Sequence, residues 1–300
     1  VIVRADATRI PLPDQSVDLV LGSPPYCDAR TYGIGAQRGV VAWVDWMLAV
    51  TTEALRVSRG AVIWIAAGVT RDRNYWPACE GLLWEWHKRG GHAYRPCYWH
   101  RVGIPGSGGD QWYRADVEYA LCFKRAGKLP WAEPLANGHP PKWAPGGETS
   151  HRNREGTRKE RGDARRNAVK AGLGKAMSAR DSSYWSNTDN RKSWNYVPPE
   201  LSNPGSLLKV KVGGGRMGNQ LAHESEAPYP VAVPAFFIRS HCPPGGLTLD
   251  PFGGSGTTAQ AALENGRRCV LADLRQSQCE LSRRRLATVN LGFPFEGAAP

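Results

Sequence analysis

Apolar residues along this chain come in short blocks whose spacing switches between the strand and the helix period. Val17-Asp18-Leu19-Val20-Leu21 has the pattern of a buried strand, and Ala61 to Ala66 that of another. Between them, Val40 to Val57 carries Trp43, Met47, Val50 and Leu55 at near-helical spacing. Val1 to Val3 reads as a short strand leading to Asp6, Tyr75 to Arg89 as a helix, and Tyr94 to His100 and Val117 to Phe123 as strands. Further on, Val233 to Ser240 reads as a helix and Leu247-Thr248-Leu249 as a short strand. Ala259 to Leu263 is a run of helix formers, Arg268 to Ala272 a strand, and Ser277 to Val289 a closing helix. The last of these holds Arg283, Arg284 and Arg285, which read as a solvated face. Strands alternating with helices predict a doubly wound, mainly parallel α/β sheet.

The pattern breaks at Gly127. Prolines 130, 134, 140, 141 and 145 form a loop-rich entry. Arg152, Arg154, Arg158, Lys159, Arg161, Arg165, Arg166 and Lys170 then crowd together against only Glu155, Glu160 and Asp163. With almost no apolar residues, this stretch cannot build its own core. It is either a solvated surface or an arm that tracks phosphates. Tyr184, Trp185, Trp194 and Tyr196, interleaved with Arg191, Lys192 and asparagines, add groups able to stack on bases or hydrogen-bond their edges. The expected organisation is therefore 1–126 and 223–300 as two halves of the α/β domain, with 127–222 inserted as a basic, loop-rich region.

Composition sharpens this. A net charge of +12 over 300 residues is more than folding requires and implies an anionic partner. Nucleic acid fits better than membrane, because no basic amphipathic helix stands out. No apolar run reaches transmembrane length and no signal peptide opens the sequence. The seven cysteines are odd in number and include no C-x-x-C pair, which argues for reduced thiols in a cytoplasm, without structural zinc or disulfides.

Two stretches carry chemistry. In Asp250-Pro251-Phe252-Gly253-Gly254-Ser255-Gly256-Thr257-Thr258, three glycines sit between a strand and a helix start. Glycine at 253, 254 and 256 permits a tight turn and close approach to a ligand, and the N–H groups near Thr257 and Thr258 suit a carboxylate or phosphate. Asp273, closing the following strand, is placed to accept ribose hydroxyls. A purely structural turn is the alternative; together with Asp273, the stretch reads as a nucleoside-cofactor site. The second stretch, Ser23-Pro24-Pro25-Tyr26, follows the Val17 strand. Its hydroxyl and Pro24 carbonyl can accept from an amine, its prolines stiffen the backbone, and its ring offers a stacking face.

Together these motifs resemble the amino-group DNA methyltransferases that use S-adenosylmethionine. The glycine turn lies some two hundred residues after Ser-Pro-Pro-Tyr, as in the circularly permuted β class. Val44-Asp45-Trp46 and the segment from His223 through Pro234 to Arg239 extend the likeness. The resemblance implies a Rossmann-like methyltransferase sheet with 127–222 as its target-recognition region. It also implies S-adenosyl-L-methionine held at Asp6, Asp250, Phe252, Gly253, Gly254, Gly256, Thr257, Thr258 and Asp273, with catalysis at Ser23, Pro24, Pro25 and Tyr26. DNA contacts fall to Arg152 through Lys170 with Trp185, Arg191, Lys192 and Trp194. Asp6 reads equally well as a turn aspartate, and Ala227-Pro228-Tyr229-Pro230 as a linker. The serine form of the motif resembles the N4-cytosine members of restriction–modification systems, acting on double-stranded DNA in a prokaryotic or phage-infected cytoplasm beside a cognate endonuclease.

Such a base must be flipped out of the duplex, and the transfer needs no metal and no covalent intermediate. An N6-adenine enzyme makes the same demands on the site. C5-cytosine chemistry requires a cysteine nucleophile, typically in Pro-Cys, yet Pro96-Cys97 lies in an apolar strand and Cys27 follows Tyr26. RNA and protein methyltransferases carry the cofactor turn upstream, and a catalytically silent DNA-binding regulator would not need both motifs intact.

Overall fold

Every residue of β2 (Val17–Gly22) is buried, which marks it as the centre of the sheet. The computed structural model describes residues 1–28, 39–104, 111–140, 200–213, 215–217, 220–225 and 227–289. In chain order the remaining elements are β1 (Ile2–Arg4), α1 (Val40–Val57), β3 (Ser58–Ala66), β4 (Val69–Arg71), β5 (Asn74–Trp76), α2 (Ala78–Lys88), β6 (His92–Ala93), β7 (Cys97–Val102) and β8 (Val117–Lys124). They continue with β9 (Leu207–Lys211), α3 (Ala232–His241), β10 (Leu247–Asp250), α4 (Thr257–Glu264), β11 (Arg268–Asp273) and α5 (Gln276–Ala287).

The main sheet runs β1-β11-β10-β2-β3-β8-β7-β9, with β6 also on β8. From β1 to β3 every pairing is parallel; β8 enters antiparallel to β3 and β7, and β9 lies parallel to β7. This is the mainly parallel α/β sheet the pattern predicts. Alternate residues of β3 serve opposite faces. Val62, Trp64 and Ala66 pack with Trp43, Met47 and Leu82 of α1 and α2, whereas Ala61, Ile63 and Ile65 pack with Val233, Phe237 and Ala261 of α3 and α4. Within this core Trp64 Nε1 donates to Thr51 Oγ1 at 3.0 Å.

β2 carries an acid inside this core, and its surroundings explain why. Asp18 accepts from Arg59 Nε at 2.7 Å and from the Leu247 N–H at 2.8 Å. Burial opposes its charge, but these two donors outweigh burial and hold the carboxyl below its usual range. The β2–β3 register shifts there, and a side chain at Gly60 would collide with the Asp18 carbonyl.

Several boundaries differ from expectation. The helix expected from Tyr75 begins at Ala78, because Asn74–Trp76 pairs with Val69–Arg71 across Asp72 and Arg73, both at positive φ (47° and 62°). That is the geometry of a two-residue primed hairpin, which only a turn-specific reading would find. The strand expected from Tyr94 starts at Cys97, after Pro96. β9 joins the main sheet from within 127–222. The chain divides into two compact units, Val1–Asn137 with Pro204–Pro300, and Gly138–Asn203. In the latter, His139 and Ser202 form an antiparallel bridge. Among the described residues, no helix is long and apolar enough to cross a membrane.

Candidate active site

β10 and β2 are parallel neighbours, Thr248 beside Leu19 and Leu249 beside Val20, so their carboxyl ends open on the same edge. Where they end, the Asp250 side chain lies against the β2 backbone: a Cβ at Gly22 would stand 2.5 Å from Asp250 Oδ1. Asp250 is fully enclosed. Its Oδ1 accepts the Phe252 N–H at 2.9 Å and its Oδ2 accepts the Thr258 hydroxyl at 2.5 Å, with the Tyr229 hydroxyl 2.5 Å from Thr258 Oγ1. Burial pushes Asp250 up to about 7, Asp273 adds to the rise, and the two hydrogen bonds pull against it. Asp250 and Thr258 therefore brace the glycine turn from below.

The turn itself needs its glycines. Gly254 and Gly256 sit at φ +49° and +85°, the latter as N-cap of α4. The Gly253 N–H donates to the Ala272 carbonyl at 2.8 Å and the Gly254 N–H to Asp273 Oδ2 at 3.0 Å. Asp273 Oδ1 takes the Arg275 N–H at 2.9 Å. Both carboxylate oxygens keep a further lone pair for a ligand hydroxyl. Asp6 accepts the N–H and hydroxyl of Thr8, each at 2.8 Å, the turn-aspartate geometry, and still reaches the crevice.

The crevice opens at this edge, where the two strand ends meet. Asp6, Ser23, Pro24, Pro25, Phe252, Gly253, Gly254, Thr257 and Asp273 line it together with Trp46, Tyr229 and Arg275. Sequence positions as far apart as 6, 23 and 273 thus meet at one edge. Phe252 stands edge-on to Trp46 and Trp64, with ring centroids 5.8 and 5.7 Å away. Tyr26, Asp250, Gly256 and Thr258 stand outside the wall. Trp43 Nε1 donates to the Pro25 carbonyl at 2.8 Å, fixing the loop that follows β2. Tyr26 donates its hydroxyl to Glu118 Oε2 at 2.5 Å.

Reading residues one at a time missed Glu118, Arg275 and above all Arg285. Far from lying on a solvated face, Arg285 is fully buried. It donates to Ser255 Oγ at 3.0 Å, Thr257 Oγ1 at 2.7 Å, the Met217 carbonyl at 2.5 Å and Gln260 Oε1 at 2.8 Å. Cys27 is also fully buried; burial, aided by Asp28, pushes its thiol up to about 11, so it is no thiolate at neutral pH. Arg152, Arg154, Arg158, Lys159, Arg161, Arg165, Arg166, Lys170, Trp185, Arg191, Lys192 and Trp194 lie outside the described residues.

A sheet of this order, opening on a glycine turn, is that of the S-adenosylmethionine-dependent methyltransferase class. The PvuII DNA methyltransferase, named as cytosine-N4-specific, shares it with a TM-score of 0.62 at 16% identity, over 97% of this chain and 88% of that one. A Thermus thermophilus protein, TTHA0409, named as a putative DNA modification methylase and solved with S-adenosyl-L-methionine, gives 0.57 at 20% identity over 97% and 95%. Residues 17–284 match the N6/N4 DNA methylase family, and the chain belongs to it. YubD of Escherichia coli (strain K12), named as a putative methylase, is 35% identical over 96 residues, 32% of this chain and 40% of that protein's length.

Proposed function

We propose that this chain transfers the methyl group of S-adenosyl-L-methionine to the N4 amino group of a cytosine flipped out of double-stranded DNA. The observation that carries this reading is the crevice in which Ser23 and Pro24, at the end of β2, meet the glycine turn at the end of β10. When bound, the cofactor supplies an electrophilic methyl group on a sulfonium. The residues present fit it. Gly253 and Gly254 allow close backbone approach, Asp273 and Asp6 offer carboxylates to ribose hydroxyls, and Phe252 lends an aromatic wall. Asp250, Thr258 and Gly256 shape the turn, and Thr257 opens the helix behind it. Of residues 127–222, those between Asn137 and Pro204 supply the target-recognition region, with their arginines and lysines on phosphates, whereas β9 belongs to the main sheet.

An exocyclic amine is a poor nucleophile because its lone pair is shared with the ring. The Ser23 hydroxyl and Pro24 carbonyl accept its N–H groups, so that nitrogen pyramidalises as it attacks, while Tyr26 stacks on the base. Most of the rate then comes from orientation for in-line transfer. Serine at 23, where an N6-adenine enzyme more often carries aspartate, favours cytosine, as does the likeness to the PvuII enzyme; the family embraces both products.

Two measurements test the chemistry. Ser23→Ala removes one acceptor and should lower kcat roughly ten- to a hundredfold while leaving DNA affinity nearly unchanged. DNA carrying 5-fluorocytosine should be released after incubation, because no thiolate attacks the ring. A covalent protein–DNA adduct would overturn direct transfer.

A further inference from the structure

We propose that Glu118 is a positioning residue that fixes the ring of Tyr26 before a base arrives, an inference that rests on the stacking role given to Tyr26 above. Glu118 stands second in β8, a strand antiparallel to β3 whose Tyr119 pairs with Ala66 at the carboxyl end of β3. Topology therefore brings it to the edge where β2 releases Ser23. Though acidic, it is only 5% exposed. Its two oxygens have separate duties: Oε2 accepts the Tyr26 hydroxyl at 2.5 Å, and Oε1 pairs with Arg101 Nη1 at 3.0 Å. Arg101 is itself held, its Nη2 donating to the Ala115 carbonyl at 2.5 Å.

The sequence separation between Tyr26 and Glu118 is 92 residues, so no local turn explains their meeting. A buried carboxylate with a cation on one oxygen directs its other oxygen along one line, and charge-assisted bonds of this length are the strong ones. With Trp43 holding the Pro25 carbonyl at one end, Tyr26 is anchored at both backbone and hydroxyl. A stacking platform fixed in this way meets the base without first giving up ring freedom. This explains a use for the hydroxyl, which stacking alone does not need.

The test is a mutant cycle read as methyl incorporation from labelled S-adenosylmethionine into unmethylated plasmid DNA, with cofactor affinity and melting temperature recorded beside it. Tyr26→Phe keeps the ring and removes the bond; it should lower kcat about tenfold. Cofactor affinity should stay unchanged, and the melting temperature should fall only by what one lost buried hydrogen bond accounts for. Glu118→Ala should lower kcat similarly, Glu118→Gln less because its amide oxygen still accepts, and the Tyr26→Phe/Glu118→Ala pair no more than either alone. Full turnover by Tyr26→Phe, or losses that multiply in the double variant, would overturn the inference. Should Glu118→Ala fail to fold, Tyr26→Phe and Glu118→Gln still decide it. Full turnover by Tyr26→Ala would instead fall on the stacking role itself.

Discussion

Of the individual residues, Asp250 shows most clearly how a motif position differs from a ligand. Its identity was legible, but its role was not, because a carboxylate beside a glycine turn reads as a binding group until its burial is known. Enclosure lifts it from 3.8 to about 7. The unfolded chain gives up that proton near pH 4 and the folded one near 7, so the stability gained by holding it is complete below about pH 4. It drains as pH rises and is gone above about 7. Asp250→Asn keeps the acceptor for Phe252 and has no proton to lose. Its melting temperature relative to the native chain should therefore climb steadily between about pH 4 and pH 7; parallel curves would show that Asp250 does not titrate in that range. Gly22, unremarkable in sequence, is explained by the same carboxylate, which leaves no room for a side chain.

Among the elements, β2, β3, β10, β11 and α1 were legible because their apolar residues follow one period and their neighbours are turn formers. α5 was legible as a helix but not in its facing. Its buried positions include Gln278, Ser282 and Arg285, spaced as i, i+4 and i+7, so a helical stripe is present but written in polar residues. Arg285 links α5 to the glycine turn through Ser255 and Thr257. Arg285→Met, similar in length, would leave several of these buried acceptors unpaired, and urea unfolding should show a loss of ~3 kcal/mol. A variant within about 0.5 kcal/mol of native would mean that the acceptors find other partners. β9 escaped notice because it stands in a polar interval, although Leu208, Val210 and Val212 alternate with Lys209 and Lys211 at the strand period and pack on the core beside β7.

For the molecule as a whole, the reading turned on two motifs two hundred residues apart whose strands prove to be neighbours. Sequence order concealed that adjacency, and the alternation of strands and helices made it expected. The net charge of +12 belongs to this scale too. Neutralising Arg165 and Arg166 together should make log K for DNA less steep against log salt, by up to roughly one unit for each lost phosphate contact. An unchanged slope would leave them as solvated residues. The central claim, that the crevice between β2 and β10 methylates an exocyclic amine of DNA, is tested most directly by its product. Unmethylated DNA incubated with the purified chain and S-adenosylmethionine, then digested to nucleosides and read by mass spectrometry, should contain N4-methylcytosine. N6-methyladenine alone would keep the mechanism and overturn the choice of base, whereas 5-methylcytosine, or no methylated nucleoside at all, would contradict the account.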